Sequence, residues 1–442
     1  MKKIFCIILS IVLILSVFTL PSFASFNSLL ETEADIVLLV NTDTNYIVFD
    51  KNADKKNAPA ALTQMVTAIL VLENCPDLSK KITCKSDTVN GLYSRGGVTI
   101  AITGGESLTV DELLRCMLIH SASDAANILA DYVGGGIPNF VKMMNEFAEK
   151  LGCTNTHFVN AHGLDEESSY TTANDIYKIA SYCLKNEIFK DICSRARDEV
   201  SPTSRGERRY LNNTNKLLIR GMSDYYCPSV TGVKAGASEK AGRCVVSVAS
   251  KNGYNYMLII LGAPLRDVDD DGVEENVAFT ESRKIYNWAF GNIVLTPVTT
   301  TTDIVTVVDV KYSFRTDHLA LVPKEELTAL VPSGTDAGSL EIKAIEKETP
   351  KTVNAPVKKG DVLGKAQVLY GEDVVATVDL VASESVSGSL ILRVTGFIGY
   401  LLHTTVVKIL LCLVLLLLLA YIALIVRKNM IKAKRKKPRR IK

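Results

Sequence analysis

Residues Ile409 to Val426 form an 18-residue run without a charge, and ten cations follow it at once: Arg427, Lys428, Lys432, Lys434, Arg435, Lys436, Lys437, Arg439, Arg440 and Lys442. Such a run suits the hydrocarbon core of a bilayer, which a helix of about 20 apolar residues crosses. Val406 and Val407 extend it past Lys408, whose charge can reach the interface on its flexible stem. The pattern predicts one transmembrane helix over 406–426 and a basic tail over 427–442. The positive-inside bias puts that tail in the cytoplasm and everything before the span outside. A buried helix of a soluble domain is a poor alternative, because ten cations would crowd one of its ends.

The other end reads as an export signal, 1–24. Lys2 and Lys3 precede the apolar run Ile4 to Leu20, Pro21 breaks it, and Ser22-Phe23-Ala24 offers small residues for cleavage. Cys6 has no small residues before it, which argues against a lipid-modified start. The overall charge of +2 then splits in two. Between residues 25 and 405 there are 37 Lys+Arg against 48 Asp+Glu, about −11. An acidic external region excludes nucleic acid as its partner, while the basic tail suits anionic lipid. Eight cysteines are external, without a C-x-x-C or zinc spacing. Cys116 and Cys244 lie in apolar runs and read as buried, and Cys75 could pair with Cys84.

Between the ends, DIVLLVNTDTNYIVFD (35–50) reads as a hairpin. Pro59 precedes a helical stretch with Leu62, Met65, Val66, Ile69 and Leu70 on one side. Val110 to Ile119, Asp124 to Val133 and Pro138 to Leu151 are further helices. VVSVAS and YMLIILG are strands split by Asn252-Gly253, and Thr280 to Phe290 returns to helix. Strands, a helical block, then strands and a closing helix indicate an α/β domain with a largely antiparallel sheet, over 25–293. After it, 294–383 is rich in Val and Thr with short alternating runs, a small β-rich domain. A linker and juxtamembrane stretch, 384–405, leads to the span.

Pro59-Ala60-Ala61-Leu62-Thr63-Gln64-Met65-Val66-Thr67 resembles the P-A-S-x-T-K-x-x-T segment of serine-type D-alanyl-D-alanine carboxypeptidases, the low-molecular-mass penicillin-binding proteins. The match continues in order through Gly105 to Val110, Ser121 to Ala126, Thr156 to Asp165, Thr172 to Asp175 and Gly232 to Gly236. It covers roughly residues 35–292. The resemblance implies a penicillin-binding/β-lactamase-like domain, a bacterial plasma-membrane location and peptidoglycan stem peptides as ligands.

The chain departs from that family where the chemistry sits. The resemblance puts a nucleophilic serine and its lysine at Ala61 and Gln64, an asparagine at Ser123 and a threonine at Ala235. Ser121, Lys234 and Gly236 match; Lys234 is where the family grips a terminal carboxylate. No serine in the chain is followed three residues later by lysine, so the pair has not moved. A methyl at Ala61 cannot attack a carbonyl, and losing a serine nucleophile costs on the order of 10⁶-fold in turnover. Thr63 points about 200° away on a helix and cannot stand in.

No cofactor is expected. His157 and His162 lack the spacing of a metalloprotease. Asp267, Asp269 and Asp271 before Gly272 match the opening of a calcium loop, but position twelve would be Ala278, so a solvated acidic turn fits better. The chain therefore reads as a membrane-anchored carboxypeptidase-like pseudoenzyme that binds muropeptide or an envelope protein. Two alternatives are an active peptidase with atypical residues, and a scaffold or receptor that uses the β-rich domain.

Overall fold

The computed structural model describes residues 30–203, 205–267 and 272–435. The signal segment 1–24, Asp269, Asp271 and the last seven residues lie outside them. The chain divides into two compact units. The first runs to Leu295 and includes Leu330–Thr335 and Gly371–Val375; the second takes Thr296–Ala329, Asp336–Tyr370 and the chain from Ala376.

The first unit is built on a five-stranded sheet of β1 (Ile36–Asn41), β2 (Tyr46–Lys51), β3 (Val230–Ser238), β4 (Gly242–Lys251) and β5 (Tyr254–Ala263), in the order β2-β1-β5-β4-β3. Every pairing is antiparallel. The β4–β5 hairpin turns at Asn252 (φ 53°) and Gly253 (φ 84°), two positive-φ positions that a tight hairpin turn requires. Met257, Ile259 and Leu261 of β5 join the main core, while the intervening Tyr256, Leu258 and Ile260 are buried on the opposite face. Burial on both faces explains why YMLIILG is apolar at nearly every position.

Helices α1 (Thr63–Asn74), α2 (Val110–His120), α3 (Ser123–Gly134), α4 (Ile137–Lys150), α5 (Ala173–Cys183) and α6 (Glu187–Ser194) follow β2. The closing α7 (Val277–Asn292) covers the other side, its Tyr286 hydroxyl donating to Ser247 O at 2.8 Å. It starts three residues before the predicted Thr280, because Asn276 caps it by accepting the Ala278 N–H. A capping box starts α2: Thr109 Oγ1 accepts the Glu112 N–H, and Glu112 accepts the Thr109 N–H. Thr63 through Val71 of α1 are all buried, so this helix is enclosed on every side. Cys75 and Cys84 are both free and buried.

The second unit contains a six-stranded sheet in the order 340–344, 362–370, 373–382, 318–323, 306–311, 352–354. Its last pair is parallel, whereas 340–344 with 362–370, 373–382 with 318–323 and 318–323 with 306–311 pair antiparallel. Helix α8 (Leu390–His403) and the long α9 (Thr405–Arg435) follow, and Val407–Met430 within α9 is long and apolar enough to cross a membrane.

Glu106 and Arg209 tie the first unit together away from the sheet. Glu106 is fully buried, and Arg209 meets it with two bonds of 2.7 and 2.9 Å while also donating to Ile100 O. Burial opposes the charge on Glu106, but bonds from Arg209, Thr203 and the Thr103 N–H outweigh it and hold the carboxyl below its usual range. Arg209→Met should lower the unfolding free energy by about 3 kcal/mol, because it strands a buried carboxylate. The double variant Glu106→Gln, Arg209→Met should lose less than the single one in denaturant titration.

Candidate functional site

A short 3₁₀ turn, Ala60–Leu62, delivers Ala61 to the head of α1. Two glycines press on this turn. A Cβ on Gly163 would lie 2.0 Å from Ala60 O, and one on Gly236 would lie 2.7 Å from Ala61 N. Only glycine permits that approach. Together these segments floor a cavity of about 700 Å³. Its lining includes Ala61, Gln64, Ser121, Ser123, Ala235 and Gly236. The structure thus gathers in one place all but one of the seven positions that the family resemblance marked. Lys234 is the exception: it is fully buried, behind Ser121.

Gln64 lies one helical turn beyond Ala61. Its Nε2 donates to Ser121 O at 3.2 Å and to His162 O at 3.1 Å. The amide thus ties α1 to two walls of the cavity without carrying a charge. The Thr63 hydroxyl is buried and does not reach the lining.

Ser121 ends α2 in the left-handed region, φ 63°. That conformation costs a non-glycine residue roughly 1 kcal/mol, and it turns the side chain toward β3. Its hydroxyl meets Lys234 Nζ and lies 3.2 Å from Thr214 Oγ1. Lys234 also donates to Met117 O at 3.2 Å and Leu118 O at 2.9 Å, carbonyls in the last turn of α2 that have no partner within the helix. Burial pushes the Lys234 ammonium down to about 7, opposed only by Cys193. Burial also lifts the Cys193 thiol to about 12, so it supplies no anion at neutral pH.

The surrounding wall is fixed by backbone bonds to side chains. Asp124 accepts N–H bonds from Ile100, Ile102 and Ala125, and the Ser123 N–H reaches Val98 O at 2.7 Å. Asp165 accepts from Ser238 Oγ at 2.6 Å and from the Lys240 N–H. His162 lines the cavity with its Nδ1 accepting the Leu164 N–H, and burial, with Arg95 adding to it, lowers the imidazole to about 4. It is neutral at physiological pH. His157 lies elsewhere, paired through its backbone with Tyr170. Asp267 accepts the Gly272 N–H as a turn residue would. Thr214, Lys216 and Arg243 also line the cavity; none belongs to a segment quoted above, and nothing local in the sequence marks them.

Chemically, the cavity offers hydrogen-bond donors, one buried amine behind a hydroxyl, and a methyl where the floor rises highest. Residues 24–265 match the family model for D-alanyl-D-alanine carboxypeptidases, and residues 297–387 match that for the C-terminal domain of penicillin-binding protein 5. D-alanyl-D-alanine carboxypeptidase DacF of Bacillus subtilis is 28% identical, over 84% of this chain and 89% of its own. DacC of Escherichia coli is 26% identical, over 83% and 88%. Penicillin-binding protein 5 from Haemophilus influenzae shares the fold, with a TM-score of 0.63 at 22% identity, over 81% of this chain and 98% of that one. The Streptomyces K15 DD-transpeptidase gives a TM-score of 0.52 at 26% identity, over 59% and 98%.

The position of Lys234 has a consequence for stability. Unfolded, its amine has the ordinary lysine value of 10.5; burial in the folded state lowers it to about 7. Between those limits the unfolded chain holds a proton that the folded chain lacks, so this residue makes stability rise with pH across that window. Below pH 7 its burial cost is fully present. Relative to Lys234→Met, the wild-type unfolding free energy should climb by up to about 1.4 kcal/mol per unit above pH 7. A pH-independent difference in denaturant titrations would show that the folded amine keeps its proton.

Proposed function

Since this chain belongs to the D-alanyl-D-alanine carboxypeptidase family, the low-molecular-mass penicillin-binding proteins, we propose that it is a non-hydrolysing member that binds peptidoglycan stem peptides in the cavity above Ala61. One observation carries the reading. The head of α1, where a serine and a lysine would stand one turn apart, presents a methyl and a neutral amide whose nitrogen is engaged by two backbone carbonyls. An amide cannot take a proton from a nucleophile, and a methyl cannot be one. The four departures fit one another: a lysine without its serine would be a buried, unmatched charge, whereas Gln64 satisfies the walls as a neutral donor.

The rest of the cavity keeps its family shape. Gly236 holds the floor close to Ala61, and Ser121 remains in the lining with Lys234 behind it. A peptide ending in a carboxylate would meet Lys216 and Arg243 in the lining as well. In this reading the helix Val407–Met430, long and apolar enough to cross a membrane, is the anchor of the chain, and the basic residues after it favour a cytoplasmic C-terminus.

The full-length protein in detergent should release no D-alanine from a synthetic stem pentapeptide, yet bind it saturably in calorimetry. Combining Ala61→Ser, Gln64→Lys, Ser123→Asn and Ala235→Thr should raise release to a measurable but partial level, since supporting groups must also hold the geometry. Release by the wild type that a substitution in the cavity abolishes would overturn the reading. Truncation after His403 should move the protein from the membrane fraction to the soluble one.

A further inference from the structure

Three protein oxygens surround the Lys234 nitrogen: Met117 O, Leu118 O and Ser121 Oγ. Carbonyls only accept, so two of these contacts are N–H donations in any protonation state. The third can run either way. As an ammonium, Nζ donates to the Ser121 oxygen; as a neutral amine, it accepts the Ser121 O–H in its lone pair and still serves both carbonyls. Loss of one proton thus leaves every polar group satisfied and places a hydroxyl on a base. Among the described residues no carboxylate pairs with Lys234, and burial disfavours its charge. The helix end opposes that trend by favouring a cation. The balance leaves the amine poised near neutrality.

The hydroxyl of this pair belongs to a residue that lines the cavity. A serine bonded to a lysine is what an activated nucleophile requires, and Ala61 leaves the adjacent floor without one. We propose that Ser121, with Lys234 as its base, is an acyl acceptor that forms an ester with strained or activated amides bound in the cavity. This rests on reading the cavity as the stem-peptide cleft. Ser121 Oγ attacks the carbonyl carbon while its proton passes to the Lys234 amine. The acyl C–N bond then breaks, and the leaving nitrogen takes the proton from the ammonium just formed. The amine is regenerated and the acyl group stays on Ser121. Lys234 is fully buried and outside the cavity lining, so it meets no water from the cavity side, and Gln64, an amide, cannot activate water against that ester; the product is a trapped adduct rather than a turnover intermediate.

The titratable groups around the pair are Cys193 on α6, His120 at the end of α2, Asp124 on α3 and Lys216. Burial keeps Cys193 a thiol and lowers His120, so neither carries charge at neutral pH; burial also raises the Asp124 carboxyl.

The test incubates the full chain in detergent with a fluorescent penicillin and maps any adduct by peptide mass spectrometry. Label should appear on Ser121 and vanish in Ser121→Ala, which leaves the Lys234 packing in place. It should survive in Thr63→Ala, whose hydroxyl faces away from the cavity. The labelling rate should rise about tenfold from pH 6 to pH 8, following deprotonation of an amine near 7. No adduct on folded wild type, or an adduct on another residue, overturns the proposal. Stem-peptide binding is read separately by calorimetry. Binding with no adduct sinks the acyl acceptor alone, whereas an adduct with no peptide binding supports Ser121 and sinks the cleft reading.

Discussion

A buried amine set against the open end of a helix organises the first unit. Lys234 leaves β3 and donates to two carbonyls of the last turn of α2, residues more than a hundred positions earlier in the chain. Those carbonyls would otherwise face the interior without partners, a penalty of about 1–3 kcal/mol each. The same nitrogen holds the Ser121 hydroxyl, and Ser121 can face it only because the backbone enters the left-handed region there. Sheet edge, helix terminus and cavity wall are therefore fixed by one atom. Among the described residues that atom has no counter-ion, which makes the contact both costly to bury and sensitive to proton activity.

Around this joint the cavity is assembled from backbone rather than from paired charges. Asp124 and Asp165 spend their carboxylates on N–H groups of neighbouring segments, and Gln64 spends its amide on carbonyls. Walls built this way are rigid, because each bond constrains a main chain. Asp124 and Asp165 hold their walls through bonds that involve neither Ala61 nor Gln64, so in the proposed non-hydrolysing reading those walls do not depend on the residues at these two positions.

Much of the fold was legible in the chain. The hairpin at 35–50, the helices beginning at Val110 and Pro138, and the Asn252-Gly253 turn follow from period, caps and positive-φ residues. Boundaries shifted where a cap lay outside the apolar pattern, as Asn276 did for α7. The site was legible as a set of residues but not as a geometry. Nothing local says that Lys234 is fully enclosed, that Gln64 turns its nitrogen to Ser121 O and His162 O, or that Thr214 sits beside Ser121. These depend on segments brought together across long stretches of sequence. His162 shows the limit well: nothing local says that it lines the cavity or that burial makes it a neutral wall residue.

The cysteines carry a different implication. Among the described residues, the eight cysteines from Cys75 to Cys244 are unpaired and buried, and for Cys84, Cys116, Cys153, Cys183, Cys193 and Cys244 burial pushes the thiol above its ordinary value. Thiolate is the species that oxidants and alkylating agents attack. In the folded state these side chains are small apolar fillers with little redox chemistry. The unit therefore needs no oxidising partner to mature, and it keeps its structure in strongly reducing and mildly oxidising surroundings alike. Vulnerability is confined to the interval before folding, when eight exposed thiols could cross-link at random, so rapid closure of the core is itself the protection.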